Sequence, residues 1–75
     1  MQYSDGDKIE LGDAVLLEGG AHGVIVGTIE EGAFLPPYVA AEWSYLGRGV
    51  LIDSDDAGLM HYGEPDEAWR LLGRA

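Results

Sequence analysis

The densest group of carboxylates in the chain is the stretch Asp-Ser-Asp-Asp-Ala-Gly that begins at Asp53. Counted from Asp53, Asp55 falls at position 3, Gly58 at position 6 and Glu64 at position 12, which is the spacing of a calcium-binding loop. Position 5 is Ala57, which offers no ligand, and the apolar runs on both sides favour strands where a calcium loop requires helices. We therefore interpret this stretch as a polar hairpin turn, with calcium binding as the alternative.

Other side chains suited to catalysis or metal binding are few. The chain has no cysteine, which excludes disulfides, thiolate nucleophiles and zinc–thiolate sites. His22 and His61 stand alone in the sequence, whereas a zinc site needs three or four ligands. Ser54 has no neighbouring base, and the adjacent carboxylates Glu30 and Glu31 would need a cleft to hold different pKa values. Since 75 residues build little interior, we predict no catalytic residue, no metal and no cofactor.

The charge of the chain is its strongest indication of a partner. Fourteen acidic residues face four basic ones, which gives a formal net charge of -10. The excess is spread evenly, with seven acidic residues and one basic residue in 1–35 and seven against three in 36–75. Such a field opposes binding to nucleic acids and to anionic membranes, and it attracts basic proteins. We predict a basic protein partner; the alternative is that the charge serves only solubility.

Short apolar runs separated by glycines indicate the elements that would position these side chains. Twelve of the 75 residues are glycine, and the runs between them contain many β-branched residues, which favour strands. Gly27, inside one such run, predicts a bulge or a sharp bend. Strands or extended segments are predicted over residues 8–11, 14–18, 24–30, 48–53, 59–62 and 67–72, the last with a helical turn as its alternative.

The middle of the chain predicts one short helix. The prolines at 36–37 are acceptable in a first helical turn, and Val39, Trp43 and Leu46 follow at i, i+4 and i+7. The helix would cover about residues 38–46. An irregular loop anchored by Trp43 is the alternative.

These elements together predict one small domain over residues 1–75. Its fold class is mainly β, either a small SH3-like barrel or a strongly bent antiparallel sheet of about five strands with one short helix. The N-terminus has neither the basic segment nor the apolar run of a signal peptide, and no apolar run approaches the ~20 residues of a membrane span. We expect a cytoplasmic protein, either a monomer or a homodimer paired through exposed strand edges.

Aromatic side chains next to carboxylates mark the best candidate for a protein-binding surface. Tyr38, Glu42 and Tyr45 lie on or near the outward side of the predicted helix, and tyrosine is frequent in protein interfaces. Carboxylates in the neighbouring turns would add an acidic rim to this patch. The rim consists of Glu30, Glu31, Asp55 and Asp56. We predict that these seven side chains bind the partner.

Two stretches of the sequence resemble a known small module. Residues 12–17 (GDAVLL) followed by 23–26 (GVIV) are similar to the strand–turn–strand signature of KOW-type SH3-like modules. The resemblance implies an SH3-like fold. KOW modules are typically basic binders of RNA or ribosomes, and the acidity of this chain departs from that pattern and argues against RNA binding.

A second resemblance covers nearly the whole chain. It is carried, in this order, by residues 3–6 (YSDG), 12–15 (GDAV), 42–46 (EWSYL), 49–52 (GVLI) and 58–62 (GLMHY). The order is similar to that of small acidic bacterial immunity proteins of polymorphic and type VI secretion toxin systems. The resemblance implies a protein that binds a cognate toxin domain and occludes its active site without catalysis. The alternative function is that of a small SH3-like docking or regulatory module in a larger assembly.

Overall fold

The computed structural model describes residues 1–74, which form one antiparallel sheet and a short helical segment. The strands are β1 (Ala14–Leu16), β2 (His22–Thr28), β3 (Ala33–Phe34), β4 (Val50–Ser54), β5 (Gly58–Tyr62) and β6 (Arg70–Gly73). The helix α1 (Ala40–Trp43) continues as a 3-10 turn over Ser44–Leu46, and a further 3-10 turn covers Glu18–Gly20. The prediction of a mainly β fold is confirmed, with six strands instead of about five.

The sheet is bent and open. Its strand order is β5-β4-β2-β1-β6, and β3 pairs with β2 beside this path. The outer strands β5 and β6 make no pairing with each other within residues 1–74, so the bent-sheet alternative is correct and the closed barrel is not. The segment between them instead places Trp69 in the core, where its ring meets that of Tyr62 edge-to-face with centroids 4.9 Å apart.

The bulge predicted at Gly27 is confirmed. Ile25 pairs with Ile52 and Gly27 pairs with Leu51, so Val26 is an extra residue in β2. A Cβ atom on Gly27 would lie 2.7 Å from the Phe34 ring. Glycine is therefore required here, because the ring of Phe34 lies directly against the backbone of β2.

The two faces of the sheet are buried to different extents. On one face the larger core includes side chains from outside the sheet, among them Tyr3 and Ile9. The predicted extended arm at 8–11 does not extend the sheet. It makes a single bridge between Gln2 and Lys8 and serves to cover this core. The buried members of the larger core are Tyr3, Ile9, Val15, Leu17, Ile25, Val50, Ile52 and Trp69.

The opposite face is covered by β3 and the helical segment, which begins two residues later than the predicted 38–46. The prolines at 36–37 lie in a turn before the helix, and Val39 is its extended N-cap residue. Trp43 and Leu46 pack against the smaller core as their spacing predicts, whereas Val39 is 46% exposed and does not join them. No helix within residues 1–74 is long and apolar enough to cross a membrane.

The C-terminal half follows the sequence pattern closely. β4 and β5 form a hairpin in continuous register from Val50–Tyr62 to Ser54–Gly58, with its turn at residues 55–57. The hairpin interpretation of this acidic stretch is therefore confirmed. The strand predicted for 67–72 is also confirmed as β6, which begins only after Trp69 has entered the core.

Candidate functional site

The seven residues predicted to bind a partner lie in three places. The glutamates at 30–31 follow β2, at the end of the sheet where β4 begins. The aspartates at 55–56 lie in the turn after β4, roughly 13 Å away for a strand of this length. The remaining three belong to the helical segment or the residues before it. The fold therefore divides the predicted acidic rim into separate patches.

Only part of the helical patch is available to a partner. The ring of Tyr38 is half-buried against the smaller core and meets Trp43 edge-to-face, with centroids 6.4 Å apart. Tyr45 is 79% exposed, and Glu42 is exposed as well. Tyr38 is therefore largely a packing residue, and Glu42 and Tyr45 carry what this patch offers to solvent.

The glutamates at 30–31 make contacts within the protein. Glu31 pairs with Lys8, with Oε2 and Nζ 2.9 Å apart, and Glu30 Oε1 accepts a hydrogen bond of 3.3 Å from the Gly49 amide. The hydrogen bond to Lys8 and its positive charge lower the pKa of Glu31, and the same pair raises the pKa of Lys8. The pair is exposed, so it adds little to stability, but it holds the N-terminal segment to this turn.

The aspartates at 55–56 are organised by turn hydrogen bonds. Asp55 Oδ1 accepts a hydrogen bond of 3.2 Å from the His22 amide, and Asp56 Oδ1 accepts one of 3.3 Å from the Ser54 hydroxyl. The Ser54 Oγ in turn accepts a hydrogen bond of 3.0 Å from the Ala57 amide. Across residues 1–74 there is no group of three or more His, Asp or Glu placed to hold a metal ion. This geometry is that of a closed polar turn.

A groove that the sequence pattern does not indicate lies on the sheet face beside the helical segment. The groove is open and has a volume of about 400 Å³. Its floor contains Ala14 and Val24, which are paired in register between β1 and β2, and Leu72 from β6. Asp53, which is paired with Val24, and His22 complete its polar side. The alternation of β2 places Val24 on the face opposite the larger core, but it does not reveal that Val24 stays 39% exposed within the described residues 1–74.

A second feature missed by sequence analysis is the buried carboxylate of Asp13. The Tyr3 hydroxyl donates a 2.7 Å hydrogen bond to Asp13 Oδ2, and the Glu10 amide donates one of 3.0 Å to the same atom. Asp13 Oδ1 lies 3.7 Å from the Arg74 guanidinium. This arrangement joins the N-terminal segment to β1 and to the end of β6. It is a structural anchor and presents no free surface.

Tyr3 makes folding sensitive to alkaline pH. Burial, the hydrogen bond to Asp13 and the negative charge of that carboxylate raise the pKa of Tyr3 far above its ordinary value. Above an unfolded-state pKa of about 10, the folded state therefore binds more protons than the unfolded state. The contribution of Tyr3 to stability is therefore fully present below about pH 10 and is lost as the pH rises further.

We expect the thermal midpoint of the protein to fall steeply above about pH 10 and to fall less steeply in the Tyr3→Phe variant. Thermal unfolding followed by circular dichroism from neutral to alkaline pH measures this slope. The control is Tyr45→Phe, which removes an exposed hydroxyl and should keep the slope of the unmodified protein. An equal slope in all three proteins would show that Tyr3 is not the source of the alkaline loss of stability.

The basic side chains are all engaged within the protein. Lys8 pairs with Glu31 and Arg48 with Glu64, while Arg74 pairs with Glu10 and approaches Asp13. The guanidinium of Arg70 donates to the backbone carbonyls of residues 67 and 69. Within residues 1–74, ten of the fourteen acidic residues remain outside ion pairs. The surface therefore carries an excess of negative charge.

The resemblances to immunity proteins and to KOW modules remain predictions from the sequence. No family model, curated protein or solved structure shows a significant match to this chain.

Proposed function

We propose that this chain is a non-enzymatic cytoplasmic binding protein that neutralises a cognate bacterial toxin by occluding its active site. The proposal starts from the motif order that resembles small acidic immunity proteins. The proposal requires a rigid surface with a strong negative field, and it requires no catalytic group. A small folded sheet of net charge -10 provides such a surface.

The observation that supports the proposal best is the uncompensated acidity of the surface. All four basic side chains contact carboxylates or backbone carbonyls, and three of them lie in ion pairs that offset their charge locally. Complementary potentials raise association rates and exclude partners of like charge. A toxin that acts on nucleic acid has a basic cleft, and exposed carboxylates can occupy the positions that phosphates would take there.

The proposal is tested by identifying the partner and then by assaying toxicity. We expect the tagged protein, isolated from its native cells, to retain one stoichiometric partner that carries a toxin domain. That domain should be toxic when produced alone in a bacterial host and harmless when this chain is produced with it. A partner whose toxicity is unchanged by this chain, or a housekeeping assembly as the partner, would contradict neutralisation and favour the docking-module alternative.

Steered association makes a further prediction, which compares the two acidic turns. The double variant Asp55→Asn, Asp56→Asn removes two charges and keeps the side-chain oxygens that accept the turn hydrogen bonds. Glu30→Gln, Glu31→Gln removes the same net charge at the opposite end of β4. We expect the pair that faces the toxin to slow association by roughly 3–10-fold at low salt and to flatten its salt dependence. Stopped-flow or surface-plasmon kinetics at several salt concentrations measures both. Equal rates in all three proteins would contradict the acidic mechanism, even if the toxin partner is correct.

A further inference from the structure

Within residues 1–74, the sheet face that carries the helical segment is covered over only part of its width. β3 and the helical segment lie over Val26 and Leu51. Towards β6, the same face is formed by Ala14, Val24 and Leu72, which line the groove described above. Val24 is 39% exposed and Leu72 is 51% exposed. Single exposed aliphatic side chains are normal in proteins, but aliphatic side chains from three adjacent strands that share one groove form a contiguous apolar patch.

The register places a carboxylate directly beside this apolar patch. Val24 pairs with Asp53 across β2 and β4, and paired residues project from the same face of a sheet. His22, two residues before Val24 in β2, and Asp55, in the turn after β4, line the same groove, where the Asp55 carboxylate accepts the His22 amide hydrogen. The groove is therefore apolar near β6 and anionic near the end of β4.

The charge selects among the possible occupants of the groove. The phosphates of a nucleic acid or of an anionic membrane would be repelled by the carboxylates of the groove. A second copy of this chain would bring another charge of -10 against the first. A segment that carries both aliphatic and basic side chains satisfies both halves of the groove, because the aliphatic group loses contact with water while the cation pairs with carboxylate.

We propose that this groove is the docking site for a cationic, apolar segment of a protein partner. An aliphatic or aromatic side chain of that segment packs between Val24 and Leu72, and an adjacent lysine or arginine reaches Asp53 and Asp55. The volume of about 400 Å³ falls within the usual range of binding clefts, ~300–1,000 Å³. The inference rests on the proposed function in assuming a basic protein partner, and it names the surface on which that partner would lie.

A titration of the full chain, labelled with ¹⁵N, with short synthetic peptides tests the groove directly. The probe alternates lysine and leucine, one comparison peptide replaces lysine by glutamate, and another replaces leucine by serine. We expect the lysine–leucine peptide to shift the amide signals of Ala14, Val24, Asp53 and Leu72. Both comparison peptides should bind at least roughly fivefold more weakly, because one lacks the cation that pairs with the carboxylates and the other lacks the apolar side chain.

Matched variants separate the groove from general attraction to an acidic protein. Val24→Thr keeps the β-branched shape but adds a polar group in the groove, and Val39→Thr makes the same change at a similarly exposed position elsewhere. Asp53→Lys and Asp7→Lys form the corresponding charge pair, because Asp7 is an exposed aspartate outside the groove, in the N-terminal segment that covers the opposite face of the sheet. We expect the groove variant of each pair to weaken binding by roughly fivefold or more and the control to leave it within about twofold.

Several outcomes would overturn the proposal. One is that the amide signals shift over the whole surface, or mainly in the helical segment. Another is that the lysine–leucine and lysine–serine peptides bind equally well. A third is that the chain dimerises through the groove, as measured by sedimentation. If a toxin partner is found and the Val24 and Asp53 variants neutralise it as well as the unmodified chain does, the groove assignment fails while the proposed function stands. If the peptide binds in the groove but the chain protects against no toxin, the groove is a docking site and the immunity function is rejected.

Discussion

Replacing Trp69 by alanine is expected to remove a large share of the free energy of unfolding of this protein. Trp69 is 1% exposed, and its ring lies in the larger core in edge-to-face contact with Tyr62. Truncating a buried tryptophan to alanine costs about 3–5 kcal/mol. A domain of this length has a free energy of unfolding of roughly 4–11 kcal/mol, so the loss removes much or all of the stability.

Urea denaturation followed by circular dichroism measures this effect. The matched control is Trp43→Ala, because Trp43 is half-buried at the edge of the smaller core and loses less contact on truncation. We expect a smaller loss of stability, about 1–3 kcal/mol, from the control. A Trp69→Ala protein that unfolds at the same urea concentration as Trp43→Ala would show that the larger core does not dominate the fold.

The second large effect is expected at Gly49, the residue before β4. Its backbone has φ of +102°, and a Cβ atom there would overlap the carbonyl oxygen of Tyr62 on β5. Gly49 also accepts the Ile29 amide hydrogen through its carbonyl. Gly49→Ala therefore combines an unfavourable left-handed conformation with a clash against backbone that has no free rotamer to adopt, for a loss of about 2–5 kcal/mol.

Gly47 separates these two causes. Its φ is +81°, but nothing lies within 4 Å of the position that its Cβ atom would take. Gly47→Ala is thus expected to cost only the conformational part, about 1–2 kcal/mol. Thermal or urea unfolding of both variants measures the difference. Equal losses would place the whole effect in the backbone conformation and none in the contact with Tyr62.

The candidate surfaces were harder to predict than the strands. Tyr45 and Glu42 are exposed as their helical positions indicate, but Tyr38 is not, because the turn before the helix directs its ring onto Trp43. The groove depends on where β3 and the helical segment stop covering Val26 and its neighbours. Alternation identifies which residues share a face of a strand, and it contains no information on which other element lies over that face.

Local pattern was sufficient for several features of this chain. Apolar runs between glycines and turn residues predicted the hairpin of β4 and β5 and the bulge in β2, because strand preference, turn residues and a glycine within a run can be recognised from neighbouring positions. The prediction of the final strand rests instead on the need of a small sheet to close its edge, and the structure confirms it as β6. The net charge and its even spread also followed directly from composition. The tertiary structure alone decided that the sheet stays open, that Tyr3 and Asp13 form a buried anchor, and that the acidic turns lie at opposite ends of β4. Each of these depends on contacts between residues distant in sequence, such as Arg74 with Glu10, whose formation is set by the packing of the whole chain.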